Sequence, residues 1–268
     1  MDESEEDLVN QGNSLVDEGK YEEAIQFYNK ALNINSQDEV ALTNKGTALD
    51  QLGRHDEAVE CFDRVLKINP KDVEALNNKG GSLIKLNKYE EAIESLDDAL
   101  KINHHNFVTY YNKGIALGKL GRYEEAIKSY DAALKIVPDY AIAVYSKGQT
   151  LLNLASTLSC DKRVKKAEEA LKIFNTVWKM RKKIPDKGKE LQSSLRESMA
   201  SIFLNLVDQC GSEGLRVAHK IKDFLCEVLD QKMYSDFLEE MQLTVPADLK
   251  QYKEVIALLD EPCPKSKK

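Results

Sequence analysis

The chain is 268 residues long, 42% hydrophobic and 31% charged, with a formal net charge of −7. It holds no stretch of about 18 apolar residues that would span a bilayer, and its acidic start, MDESEEDLVN, lacks the basic-then-apolar order of a secretory signal, so a soluble, cytoplasmic, helix-rich protein is expected. Cys61, Cys160, Cys210, Cys226 and Cys263 are odd in number, scattered and free of CxxC or Cys/His spacing, which argues against a zinc site or a disulfide framework and leaves reduced thiols as the expectation.

In chain order, the first 154 residues are organised by five glycines. Gly12, Gly46, Gly80, Gly114 and Gly148 stand 34 residues apart (46−12, 80−46, 114−80, 148−114), each in a stretch that otherwise favours helix. Glycine in a helix interior is less favourable than alanine by about 0.8–1 kcal/mol, so five in register need a reason, such as a closely packed neighbouring helix. Apolar residues recur four before and three after each glycine: Leu8 and Leu15, Leu42 and Leu49, Leu76 and Leu83, Tyr110 and Leu117, Val144 and Leu151. They form one stripe at helical spacing. Gly19, Gly53, Asn87 or Gly121 follows, residue types that accept the left-handed conformation closing a helix. A second helix then begins with paired acids, as at Glu22–Glu23, Glu90–Glu91 and Glu124–Glu125, where the helix dipole favours them. Its small residues (Ala24, Ala58, Ala92, Ala126; then Ala31, Val65, Ala99, Ala133) alternate with large ones (Tyr28, Phe62, Leu96, Tyr130; then Ile34, Ile68, Ile102, Ile136), as interlocking helices require. Pro70 and Pro138 break the chain between units, with Ser36 and His104 in the equivalent places.

This order of small, large and helix-breaking residues resembles the tetratricopeptide repeat, a 34-residue helix–turn–helix. The resemblance implies an all-α, right-handed solenoid. Its array would cover residues 5–154, with full units at 5–38, 39–72, 73–106 and 107–140 and a fifth from 141. Units of this kind bury their apolar faces only by stacking. The fifth departs from the pattern after Leu154, where ASTLSCDKRV intervenes before AEEALKIFNTVWKM. Either Ala170, Phe174 and Val177 or Ala167, Leu171 and Phe174 would then serve as a displaced second helix, which makes residues 155–185 a divergent second helix carrying a basic segment. Residues 186–268 read as a C-terminal helical region with stretches near 188–209, 213–232 and 246–260, and YSDFLEEM as a further short helix; these are degenerate repeats or a capping bundle, with no family recognised. Charge changes at the same boundary: residues 1–154 hold 17 Lys and Arg against 27 Asp and Glu, and residues 155–268 hold 21 against 18.

On the same resemblance, the face of each first helix that turns away from its partner lines a concave surface. By helical spacing it comprises residues six, three and two before the glycine and one and four after it. Two before each glycine stand Asn10, Asn44, Asn78 and Asn112, with Ser146 in the fifth unit. A carboxamide both donates and accepts, so such a ladder can pair with the backbone of an extended peptide. The alternatives are an asparagine tolerated on a solvated helix or one bonded to the neighbouring repeat. Other inner-face residues change from Glu6, Asp17, Thr43, Thr47 and Asp50 to Val108, Tyr111, Ile115, Ile142, Tyr145 and Leu152. An apolar patch of that kind expects an occupant, either a partner's peptide or the chain's own C-terminal helices. The expected peptide-binding residues are therefore Asn10, Asn44, Asn78, Asn112, Val108, Tyr111, Ile115 and Tyr145.

Chaperone-binding members of the family grip a terminal carboxylate at places held here by Val9, Asn13, Asn44, Glu74 and Asn78. Two of the five match and Glu74 has the wrong sign, so a chaperone C-terminus is not the expected partner. Lys45, Lys79, Lys113 and Lys147 precede four of the glycines, and their stems are expected to cover apolar surface. Lys162, Arg163, Lys165, Lys166, Lys179, Arg181, Lys182 and Lys183 form the basic segment 162–183, which is read as local helix-end chemistry ahead of a nucleic-acid contact. No nucleophile motif, phosphate loop or metal spacing accompanies His55, His104, His105 and His219, so no enzyme activity, cofactor or metal is expected. The expectation is a non-enzymatic adaptor or scaffold that holds an extended peptide or helix of a partner protein. The alternatives are a regulatory subunit or assembly factor docking through the C-terminal helices, and a nucleic-acid-associated protein working through residues 162–183.

Overall fold

The computed structural model describes residues 3–180 together with Cys210 and His219. Every element among the described residues is an α-helix: α1 (Glu5–Asp17), α2 (Tyr21–Ile34), α3 (Glu39–Gln51), α4 (His55–Ile68), α5 (Val73–Lys85), α6 (Tyr89–Ile102), α7 (Phe107–Lys119), α8 (Tyr123–Ile136), α9 (Ala141–Ser156) and α10 (Cys160–Met180). The odd-numbered helices begin at residues 5, 39, 73, 107 and 141, so the period of the glycines is also the period of the helix starts. Two compact units result, Met1–Val137 and Pro138–Lys268.

Local chemistry sets the helix ends. Ser4, Asp38, Asp72 and Asn106 cap α1, α3, α5 and α7 by accepting hydrogen bonds from first-turn N–H groups. At the other end Gly19, Gly53, Asn87 and Gly121 adopt φ of 74°, 77°, 59° and 75°. That conformation lets the Lys20 N–H reach the Leu15 carbonyl (2.8 Å) and the Gly19 N–H reach that of Val16 (2.9 Å), which satisfies carbonyls the helix cannot serve itself.

In the first unit each helix packs on the next, and each odd-numbered helix also touches the odd-numbered helix before and after it. Ala24, Tyr28 and Ala31 are fully buried, as are Ala92, Leu96 and Ala99 in the same places two repeats on. Added Cβ atoms explain the glycines. A Cβ on Gly12 would stand 2.5 Å from the Tyr28 ring, on Gly46 2.7 Å from Phe62, on Gly80 2.6 Å from Leu96 Cγ, and on Gly114 2.6 Å from Tyr130. Of the four isoleucines expected to complete the interlock, Ile136 is half-buried and the other three do not take part. Ile34 is 59% exposed, Ile68 36% and Ile102 43%, because each is the last residue of its helix and lies a turn beyond the contact, where the chain turns away.

The second unit keeps the glycine contact in altered dimensions. A Cβ on Gly148 would stand 2.6 Å from the Phe174 ring, 26 residues on (174−148) instead of the 16 (130−114) of the preceding repeat. Ala170, Phe174 and Val177 are fully buried and Leu171 is not, so the first of the two registers is the real one. The ten extra residues form helix, and do not make the intervening loop that ASTLSCDKRV suggested. Helix α9 has 16 residues against 13 in α7, and Ala170 stands ten residues into α10 (170−160) where Ala126 stands three into α8 (126−123). No glycine closes α9. Arg163 does so instead, donating from Nε to the Ala155 carbonyl (3.1 Å) and from Nη2 to those of Ser156 and Leu158 (both 3.0 Å).

One expectation about the cysteines is overturned. Cys160 is joined to Cys210, 50 positions further along the sequence, in a disulfide with Cα atoms 5.5 Å apart. Spacing alone could not reveal it, since connectivity depends on the fold. Cys61 is a free, buried thiol whose pKa is pushed up by burial. The helical stretches expected at 188–209, 213–232 and 246–260, YSDFLEEM, Cys226 and Cys263 lie outside the described residues, apart from His219.

Two outcomes follow. Gly80→Ala should destabilise the first unit by about 1–3 kcal/mol through overpacking against Leu96, whereas Gly81→Ala, where no atom lies within 4 Å of the added Cβ, should stabilise it by about 0.5–1 kcal/mol. Urea unfolding followed by circular dichroism measures both, and equal effects would contradict the packing account. Thiol titration in denaturant should find at least two more thiols after reduction than before, and equal counts would contradict the Cys160–Cys210 bond.

Candidate functional site

The first-helix face of the first unit is built where α1, α3, α5 and α7 meet. Side-chain amides join two of the three junctions. Between α1 and α3, Asn44 Nδ2 donates to Asn13 Oδ1 at 2.8 Å, and the same oxygen accepts from the Tyr28 hydroxyl at 2.8 Å. Burial pushes the Tyr28 phenol pKa up to about 12, which keeps it a neutral donor. Between α5 and α7, Asn77 Oδ1 accepts from Thr109 Oγ1 at 3.0 Å and from Asn112 Nδ2 at 3.4 Å. The middle junction differs. There Ser82 Oγ donates to Asp50 Oδ1 at 2.9 Å, and His55 Nδ1 lies 2.6 Å from the same oxygen.

The asparagine ladder is therefore uneven. Asn10 is exposed, Asn44 and Asn112 are tied to the preceding first helix, and the half-buried Asn78 carboxamide makes no hydrogen bond to a described residue. Next to it, one helical turn on, stands Gly81. The equivalent places hold Asn13, Thr47 and Ile115, so the row of side chains has a gap at Gly81. Nothing lies within 4 Å of where its Cβ would be.

Helix α7, which packs on α5, contributes apolar residues to the same face. Val108, Tyr111 and Ile115 on α7 are half-buried; Tyr111 and Ile115 pack against the core around Leu117 and Tyr130, and the Tyr111 and Tyr130 ring centroids are 5.9 Å apart. The patch is thus the edge of the core as well as a surface. Tyr145 belongs to the second unit, where its hydroxyl accepts from Gln149 Nε2 at 2.9 Å and its ring lies 5.9 Å from that of Phe174. The lysine row has a structural task. Lys79 pairs with Asp63 at 2.6 Å and Lys113 with Asp97, each reaching from a first helix to the preceding second helix. In the basic segment Arg163 is occupied at the end of α9, and Lys166 pairs with Glu169 at 2.8 Å.

Asn13, Asn77 and Thr109 were not among the residues singled out for the site, although they hold its amides in place. A signal existed: each amide pair joins residues 31 or 35 apart, one repeat plus or minus a few residues. Gly81 was marked only by the second glycine of the Gly80–Gly81 pair. Among the described residues no group of three or more His, Cys, Asp or Glu could hold a metal ion, and no helix is long and apolar enough to cross a membrane.

Family models described as tetratricopeptide repeats match residues 15–79, 80–121 and 107–140. No curated protein matches the chain. Among solved structures, MamA residues 41 to the end from Desulfovibrio magneticus RS-1 is 22% identical, with 69% of this chain and 99% of that one covered and a TM-score of 0.60. YrrB, titled a TPR protein with an unusual peptide-binding site, is 23% identical over 70% of this chain and 90% of its own, with a TM-score of 0.54. A thermophilic TPR protein in Thermus thermophilus is 19% identical over 73% and 99%, with a TM-score of 0.57. At these identities the likeness shows the fold.

The amide junctions make a stability prediction. Asn77→Ala, which removes an acceptor shared by Thr109 and Asn112, should cost about 1–3 kcal/mol, while Asn78→Ala should stay within about 0.5 kcal/mol. Urea midpoints decide it, and an equal loss in the two variants would show that Asn78 is also a structural rung.

Proposed function

This chain is a tetratricopeptide-repeat protein, and we propose that it is a non-enzymatic adaptor that holds an extended peptide of a partner protein on the first-helix face of its first unit. The observation that carries this reading is the half-buried, unpaired carboxamide of Asn78, set beside the half-buried Val108, Tyr111 and Ile115. Asn78 keeps both a donor and an acceptor unengaged on a face only partly open to water, and an extended peptide group offers one of each. Asn44 and Asn112 each spend one donor on the neighbouring helix and keep a carbonyl for a ligand. Val108 and the outer parts of Tyr111 and Ile115 offer apolar contact for ligand side chains. YrrB, which shares the fold, is titled for its peptide-binding site, and that supports the class of ligand. With Arg163 committed to the end of α9, the nucleic-acid reading of residues 162–183 gains no support.

A library of random peptides displayed on phage and selected on the full chain should yield binders whose synthetic forms lose about fivefold in affinity with Asn78→Ala, the equivalent of one hydrogen bond of about 1 kcal/mol. Val108→Ala should weaken the same peptides by a similar factor. Failure to select any binder, or binders indifferent to both changes, would contradict the reading.

A further inference from the structure

Gly81 is the ninth residue of α5 and has no structural reason to be glycine. A glycine inside a helix is explained by a left-handed φ, by a closing neighbour, or by close approach of something outside the chain. Gly81 is not among the residues with positive φ, and nothing lies within 4 Å of its missing Cβ. Gly80, its neighbour, is explained by Leu96. An approach from outside is what remains, and the unpaired Asn78 carboxamide three residues earlier lies on the same helix face. The two features are independent and share one place.

Charge narrows the occupant. Of the lining positions in α1, α3, α5 and α7 none is Lys or Arg, whereas Glu6 and Glu74 are exposed there. The lysines of the neighbouring row, Lys79 and Lys113, are turned to Asp63 and Asp97. Asp50 is already engaged by Ser82 and His55, which leaves Glu74, exposed and on the same helix as Gly81, as the acid of this helix face without a described partner. Geometry sets the register. Packed helices lie about 8–10 Å apart, and an extended chain advances about 3.3 Å per residue, so a peptide crossing these helices meets a new one at every third residue.

Resting on the peptide-binding reading above, we infer that the ligand is a cationic, extended segment of a partner protein whose main chain lies directly against Gly81, held by Asn78, with a Lys or Arg over Glu74 and an apolar residue about three positions away on Val108 and Tyr111. The gap at Gly81 is what admits the backbone.

The probes are synthetic peptides from the phage selection on the full chain, measured by calorimetry at two salt concentrations. The expected consensus has Lys or Arg about three residues from an aliphatic or aromatic residue. Gly81→Leu should weaken binding tenfold or more without lowering the urea midpoint, Gly81→Ala should weaken it less while raising the midpoint, and Glu74→Gln should weaken binding and flatten its salt dependence. Peptides that lose affinity with Asn78→Ala but bind Gly81→Leu as well as the original chain, or an acidic consensus, would overturn this inference and leave the groove reading standing. Selection of no binder at all would overturn both.

Discussion

The contact between a glycine of each first helix and the large side chain of its second helix is the constraint on which the rest depends. Tyr28, Phe62, Leu96, Tyr130 and Phe174 each occupy the volume that a Cβ on the facing glycine would need, at 2.5 to 2.7 Å. Because the glycine adds no side chain of its own, the large side chain packs directly on the backbone of the first helix, and Ala24, Ala58, Ala92 and Ala126 are fully buried beside it. The fifth repeat shows how strongly the contact is held. It absorbs ten additional residues, yet lengthens α9 by three and the start of α10 by seven, close to one and two turns of 3.6 residues, so the apolar faces keep their direction. The contact with Phe174 survives the change.

Close helix pairs leave the first helices to meet their neighbours along one face, and that face has to be polar without being unsatisfied. Asn13, Asn44, Asn77, Thr109 and Asn112 solve this by bonding to one another across two junctions, and Asp50, His55 and Ser82 do so across the third. In the first and third repeats the places of Asp50 and His55 are held by Val16 and Tyr21, and by Ile84 and Tyr89, so a polar, hydrogen-bonding pair replaces an apolar pair where the amides are missing. This leaves Asn78 over. The asparagine ladder thus combines two kinds of rung: Asn44 and Asn112 hold the array together, and the half-buried Asn78 leaves both its donor and its acceptor unengaged.

Most of the fold was legible because it rests on local rules that repeat. Five glycines and four αL turn residues carry the same information several times, so an exception such as Asn87 could be read from its equivalents. The exposure of Ile34, Ile68 and Ile102 was less legible, since a stripe continues in sequence for one turn after the helix it packs on has ended. The Cys160–Cys210 bond and the pairing of Asn44 with Asn13 depend on which residues tertiary structure brings together, and a helical face does not reveal its partner. For the candidate site, the face was legible but the division of labour within it was not. Four equivalent asparagines look alike in sequence, and their different hydrogen-bond partners separate them only in three dimensions.

On the proposed function, one carboxamide on α5 is held open for a partner's backbone. Nuclear magnetic resonance of the full chain labelled with 15N at asparagine, titrated with a phage-selected peptide, tests it most directly. The account predicts that the side-chain amide signals of Asn78 move most, those of Asn44 and Asn112 less, and that of the exposed Asn10 least. Signals that move only on asparagines of the second helices, such as Asn29 and Asn33, would place the ligand elsewhere and contradict it.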